Sequence, residues 1–256
     1  MPDQFFAIHN LTKEFGGIHA LKSLDIIVNQ GEIHAVIGPN GAGKTTLINV
    51  VSGLEKPSTG EIFFRGERID RLPPEKVFER GISRTFQEGK IIPGLTVLEN
   101  VMIGINKRKE GNGLKKRNLA RYFNWFNREI DIKKIGQDIL KIFELQEIED
   151  RWADDLVWFE RQLVQIARSI ASKPKFLLLD EPTAGLDTIE KEIIEKRLIG
   201  INQSGVTIVF VSHDIQFIRR IAQRITVLDF GQKICEGLST KVLSDPRVLE
   251  AYFGAE

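Results

Sequence analysis

Ile33-His34-Ala35-Val36-Ile37-Gly38-Pro39-Asn40-Gly41-Ala42-Gly43-Lys44-Thr45-Thr46 decides the fold. Its first five residues form an apolar run of strand length. Its end runs into Leu47-Ile48-Asn49-Val50-Val51, an apolar stretch that the pattern reads as a helix. Between them Gly38, Gly41 and Gly43 let backbone N–H groups turn inward around an anion. A strand, a glycine turn and a helix opening on Lys-Thr is the P-loop pattern in the context it requires. The helix points its positive end at the same anion. Lys44 supplies a point charge for β- and γ-phosphates, and the Thr45 hydroxyl can coordinate Mg²⁺. The cradle expected for a bound nucleotide is therefore Gly38, Pro39, Asn40, Gly41, Ala42, Gly43, Lys44, Thr45 and Thr46.

Further along, Phe176-Leu177-Leu178-Leu179-Asp180-Glu181 is an apolar strand ending in two carboxylates. In an open α/β sheet such a strand delivers its last residues to the carboxyl edge, where ligands sit. There Asp180 can hold Mg²⁺ through water, and Glu181 can orient or deprotonate an attacking water. Val206 to Val211 and Ile225 to Leu228 are further buried-strand runs. Ile189, Ile193, Ile194, Leu198 and Ile201 mark an amphipathic helix between strands. The alternation predicts a parallel sheet with helices on both faces. Phe5 to His9, Leu24 to Val28 and Glu61 to Phe64 read instead as a small antiparallel sheet beside it.

The bulk numbers bound the function. A chain of 256 residues suits one α/β domain with an inserted lobe. A formal net charge of +1 provides no field that draws the protein onto nucleic acid, so no nucleic-acid partner is expected. One cysteine, Cys235, leaves no internal disulfide and fits a reducing compartment. No apolar run approaches the ~20 residues needed to span a bilayer, and Met1-Pro2-Asp3-Gln4 lacks the pattern of a signal peptide. If a membrane is involved, other chains cross it.

At this point the chain resembles the ATP-binding cassette family over nearly its whole length. Beyond the two elements above, four more occur in the family's order. Phe15, in Phe15-Gly16-Gly17, stands where such proteins place a ring against adenine. Gln87 ends Arg84-Thr85-Phe86-Gln87, the loop whose amide reaches Mg²⁺ or the attacking water. Ala184-Gly185-Leu186-Asp187 looks like the loop that contacts a partner cassette, and Asp187 can also cap the following helix. His213, in Val211-Ser212-His213-Asp214, looks like the switch histidine that senses the γ-phosphate. His9, His19 and His34 read as structural.

The resemblance implies a P-loop NTPase fold, with an N-terminal antiparallel β subdomain and an inserted helical subdomain. The boundaries expected are 1–89 with 160–256 for the nucleotide-binding core and 90–159 for the helical part. Residues 106–134 form a basic, aromatic insert within it, read as a solvated loop and a packed helix rather than a lipid contact. Within the family the chain looks most like the ATP-binding subunits of branched-chain amino-acid importers. Val97-Leu98-Glu99-Asn100, Arg84-Thr85-Phe86-Gln87, the long insert and the tail Ala251-Tyr252-Phe253-Gly254 carry that likeness. It implies ATP and Mg²⁺ as cofactors, and Glu181, His213 and Gln87 as catalytic residues. It also implies permease subunits, a second cassette and a separate solute-binding protein as partners, at the cytoplasmic face of the membrane. A lipopolysaccharide-type exporter cassette and a poorly hydrolysing regulatory subunit are the alternatives.

One segment departs from the family pattern. Where a Leu-Ser-x-Gly-Gln signature is expected, the chain has Leu156-Val157-Trp158-Phe159-Glu160. Val157 has no hydroxyl, and Phe159 puts a ring where backbone must approach a phosphate closely. Val157, Trp158, Phe159, Glu160 and Asp187 are the expected dimer interface. In a head-to-tail pair the defect falls on the partner's nucleotide, which predicts an asymmetric heterodimer.

Overall fold

The computed structural model describes residues 4–86, 90–105 and 120–248. Along the chain the strands β1 (Phe6–Phe15), β2 (Ile18–Val28) and β3 (Ile33–Ile37) lead to helix α1 (Lys44–Val51). Next come β4 (Thr59–Phe64), β5 (Glu67–Arg68), α2 (Pro74–Glu79) and β6 (Ile82–Arg84). The helices α3 (Val97–Ile103), α4 (Ala120–Ile142) and α5 (Trp158–Ala171) follow. The chain returns through β7 (Phe176–Asp180), α6 (Thr188–Gln203), β8 (Thr207–Val211), α7 (Ile215–Ile221), β9 (Arg224–Asp229) and β10 (Gln232–Leu238).

Two compact units result. The first joins residues 1–87 to 175–256 and the second is 88–174. The expected boundary at 159/160 is displaced, because α5 packs on α3 and α4 and so belongs to the second unit. No helix of the described residues is long and apolar enough to cross a membrane.

The first unit holds two sheets. The larger has six strands in the order β10-β9-β3-β8-β7-β6, and the smaller four in the order β2-β1-β4-β5. In the larger sheet β9, β3, β8, β7 and β6 run parallel and β10 pairs antiparallel at the edge. Every residue of β3, β7 and β8 is buried, which is why Val, Ile, Leu and Phe dominate these strands. The smaller sheet is antiparallel throughout. Its β1–β2 hairpin closes on the Phe15–Ile18 pair through Gly16 and Gly17, both with positive φ, the turn geometry that matches strand twist. Aromatic side chains join the two sheets. Phe5 meets Phe176 of β7 edge-on at 5.9 Å, and Phe6 meets the same ring at 4.8 Å. Such pairs contribute about 0.5–1.5 kcal/mol each beyond burial alone.

The second unit is helical. Thr96 and Glu99 form a reciprocal capping box that starts α3. Residues 106–119 of the basic insert lie outside the described residues, as does the tail 251–254.

Candidate functional site

The site is built at the carboxyl edge of the parallel sheet. There β3 runs into the glycine loop, β7 ends on Asp180 and β8 runs on to His213. The loop has little room. A Cβ on Gly43, whose φ is +98°, would lie 2.5 Å from the Ala20 carbonyl oxygen. One on Gly38 would lie 2.2 Å from the Leu228 carbonyl oxygen. The turn between β9 and β10 also braces the loop, since the Gly231 amide donates to the Ala42 carbonyl at 3.1 Å.

The loop bounds a cavity of about 230 Å³ lined by Asn40, Gly41, Ala42, Gly43, Lys44, Thr45 and Thr46, with Ala20, Glu181 and Val211 completing the wall. The first turn of α1 opens on it, so amides and helix dipole favour an anion there. Lys44 is buried, and its ammonium donates to the carbonyls of Gly38 at 2.8 Å and Pro39 at 3.0 Å. Burial pushes its pKa below the usual lysine value, against the opposing charges of Glu181 and Asp180.

The carboxylates face this loop from β7. Asp180 is 2% exposed and paired to Arg84 at 3.2 Å. Burial raises the Asp180 carboxyl; Glu181 adds to the rise while Arg84 and Lys44 oppose it. Glu181 follows with φ +49°, a left-handed conformation that costs a non-glycine residue about 1 kcal/mol or more and is found where function over-determines the backbone. Its Oε1 lies 3.0 Å from Nδ1 of His213. Asp180 Oδ1 and Glu181 Oε2 are buried and have no hydrogen-bond partner. The orphaned Asp180 oxygen beside a phosphate-sized cavity suits a hydrated divalent cation such as Mg²⁺, and the orphaned Glu181 oxygen is open to a water. No cluster of three or more His, Cys, Asp or Glu that could hold a metal alone occurs among the described residues.

The structure thus brings the loop, Glu181, Asp180 and His213 together in one unit. Phe15 is 46% exposed at the end of β1, and the Lys13 ammonium sits 4.6 Å from its ring centroid. Gln87 lies outside the described residues. Asp187 caps α6 by accepting from the Glu190 amide at 2.8 Å, and the Glu190 carboxylate accepts from the Asp187 amide at 3.0 Å. Ala20 and Val211, which complete the cavity wall, are residues that sequence reasoning missed. Their apolar side chains carry no chemical signal; only the sheet register places them.

The ABC transporter family profile matches residues 21–184, well over half the chain and inclusive of both motif-bearing strands. The chain belongs to the ABC transporter family. This cassette is 34% identical to a probable branched-chain amino acid transport ATP-binding protein (LivG) of Archaeoglobus fulgidus, over 96% of the chain and 94% of that protein. It is 30% identical to the high-affinity branched-chain amino acid transport ATP-binding protein (BraF) of Pseudomonas aeruginosa, over 96% of each. Among solved structures it is similar to a nucleotide-free ATP-binding cassette from an ABC transporter, with a TM-score of 0.83 at 32% identity, covering 98% of this chain and all of that one. A cassette solved in its ADP conformation superimposes with a TM-score of 0.81 at 30% identity, covering 98% and 99%.

The cassette's divergent signature heads α5, in the second unit. Val157 is the N-cap position and provides no side-chain cap, and it is 60% exposed. The Val157 amide donates to Glu160 Oε2 at 3.0 Å, and Arg151 holds the other Glu160 oxygen at 3.0 Å. The chain's own carboxylate therefore sits at this helix N-terminus. Trp158 is exposed and Phe159 half-buried.

Proposed function

We propose that this cassette is the ATP-hydrolysing subunit of an importer for branched-chain or similar hydrophobic amino acids, peripheral to the cytoplasmic face of the membrane. The observation that carries the reading is the single cavity that joins the glycine loop, Lys44 and Thr45 to Glu181, beside the Glu181–His213 pair. Nearly end-to-end similarity to amino-acid transport cassettes supplies the solute class, and favours import over lipopolysaccharide export.

The chain's own residues account for the chemistry. Loop amides and Lys44 bind the β- and γ-phosphates, which requires the ammonium to leave the Gly38 and Pro39 carbonyls for the nucleotide. Phe15 offers a ring face to adenine, with its other face engaged by Lys13. Thr45 and Asp180, the latter through water, would hold Mg²⁺, and Gln87 would complete the set. When bound, that ion neutralises charge on the β- and γ-phosphate oxygens. Glu181 accepts a proton from water as the water oxygen bonds to the γ-phosphorus. The bond from that phosphorus to the β–γ bridging oxygen breaks, leaving ADP and inorganic phosphate. His213 donates to the γ-phosphate and holds Glu181 oriented.

The signature supports asymmetry between the two composite sites of a cassette pair. A γ-phosphate docking on α5 would meet no hydroxyl at Val157, a ring at Phe159 and the negative charge of Glu160. Loss of one such preorganised donor costs about 2.7–4 kcal/mol. The site built from this chain's P-loop and a partner's intact signature therefore turns over. The site built from Val157 and Phe159 binds ATP weakly or hydrolyses it slowly. Asp187, at the head of α6, lies in the loop that meets the partner cassette. This favours a heterodimer working with permease subunits and a solute-binding protein.

The test is reconstitution of the cassette with its partner cassette, permeases and binding protein in vesicles. Leucine-loaded binding protein should stimulate ATP hydrolysis several-fold and drive leucine uptake. Hydrolysis indifferent to the loaded binding protein contradicts the import reading.

A further inference from the structure

Arg84 is nearly buried, its side chain 9% exposed, yet the nucleotide chemistry derived above assigns it nothing. It ends β6, next to β7 in the sheet, and donates through all three guanidinium nitrogens. Nη2 donates to Asp180 Oδ2 at 3.2 Å. Nη1 donates to Asn49 Oδ1 at 2.7 Å and Ser52 Oγ at 3.0 Å, both at the end of α1. Nε donates to the Thr85 carbonyl at 3.2 Å. The guanidinium also lies 4.9 Å from the centroid of the Phe86 ring.

This arrangement is directional. The planar guanidinium reaches Asp180 with one nitrogen while the others hold the end of α1 and the Thr85 carbonyl, a set of fixed directions that an ammonium's point charge does not reproduce. Arg84 takes one oxygen of Asp180, and the other, Oδ1, is buried with no partner. The grip is itself anchored at the far end of α1, the helix whose first turn carries Lys44 and Thr45. A buried ion pair is weak evidence for stability, because desolvation of both charges offsets their attraction. A role in orienting a carboxylate accounts better for its presence beside the reacting groups. Residues that hold a metal-binding carboxylate set its affinity, with typical losses of about 10- to 100-fold when they are removed.

We propose that Arg84 is the positioning residue for the Mg²⁺ of the nucleotide: it fixes the Asp180 carboxylate so that Oδ1 alone is presented to the metal's water. This rests on the reading that Asp180 holds the metal. The anchors of Arg84 on Asn49 and Ser52 tie the metal-side carboxylate to the phosphate-side helix, so the two halves of the site keep one geometry.

The test uses the full chain and a fluorescent non-hydrolysable ATP analogue, with affinity measured in excess Mg²⁺ and again in EDTA. The ratio of the two constants reports the metal's contribution. Asp180→Asn sets the full size of that contribution. Arg84→Lys keeps the charge and removes the fork, so it should reduce the ratio about tenfold while leaving the EDTA affinity unchanged. Asn49→Ala, which leaves the guanidinium but removes one anchor, should reduce it about threefold. It carries the test if Arg84→Lys does not fold. An unchanged ratio in the folded Arg84 or Asn49 variant, while Asp180→Asn collapses it, overturns the inference. So does an equal loss of affinity with and without metal. An unchanged ratio in Asp180→Asn overturns instead the reading that Asp180 holds the metal.

Discussion

His213 presents its Nδ1 to Glu181 Oε1 at 3.0 Å, while the other Glu181 oxygen is buried without a partner. The carboxylate is thus held by one edge and free at the other, the geometry a water-activating base needs. Glu181→Gln removes the base but keeps the shape. Hydrolysis in the assembled transporter should fall by about 10²–10⁴ while ATP still binds. The same substitution removes a desolvated charge from a strained backbone position, so thermal unfolding should not be lowered. A variant that hydrolyses ATP at more than a tenth of the native rate removes Glu181 from the role of base.

The residue after the histidine carries a pH dependence of its own. Asp214 caps α7 by accepting from the Phe217 amide at 3.0 Å, and Lys191 donates to its other oxygen at 2.7 Å. Burial works to raise the Asp214 carboxyl, but Lys191 and the amides of Phe217 and Gln216 outweigh it and hold the pKa below 3.8. A depressed carboxylate pKa adds stability that is fully present above the unfolded value and is lost as pH falls through the folded one. Asp214→Asn keeps the cap and discards the charge. It should lower unfolding stability at pH 7, and the gap from wild type should shrink as pH falls below the ordinary carboxylate range. Denaturant unfolding at a series of pH values measures this, and a gap that stays constant as pH falls contradicts it.

Gly43 combines a left-handed φ of +98° with no space for a side chain. Gly43→Ala should destabilise the fold by at least about 1–3 kcal/mol and remove ATP binding with it. Gly41, also at positive φ but with nothing within 4 Å of its missing Cβ, should tolerate alanine at a cost of about 1 kcal/mol. Calorimetry of the two variants tests the contrast; equal melting temperatures contradict it.

Signature repair tests the asymmetry. Val157→Ser, Phe159→Gly and Glu160→Gln together restore a hydroxyl, a close backbone approach and an unblocked helix N-terminus. In a preparation containing this chain alone, ATPase activity should rise by about 10²–10³. Robust activity of the unmodified chain by itself contradicts the asymmetric account.

Much of this is legible in the amino-acid sequence. The span expected for β3 matches the observed one, because burial on both faces leaves an apolar run, broken only by a hydrogen-bonded His34, with glycine after it. The cap at Asp187 was readable from Asp followed by Glu three residues on. Strand β6 was not readable: Ile82–Arg84 is three residues long and gains its place only by pairing with β7. Strand β10 was missed because Gln232–Leu238 is an edge strand with no buried residue. The role of Arg84 was hidden for a related reason. An arginine in Arg84-Thr85-Phe86-Gln87 reads as surface charge until the fold brings Asp180 beneath it, 96 residues away. The boundary beyond 159 was displaced because α5 takes its partners, α3 and α4, from the helical unit.

The central claim is that the γ-phosphate of ATP sits against Lys44 in the cavity that Glu181 closes. Titration of the full chain and of Lys44→Ala with a fluorescent ATP analogue tests it most directly. Loss of a charge-assisted contact of about 1.5–3 kcal/mol predicts affinity weaker by roughly tenfold to a hundredfold. Equal affinity in the two proteins contradicts the account.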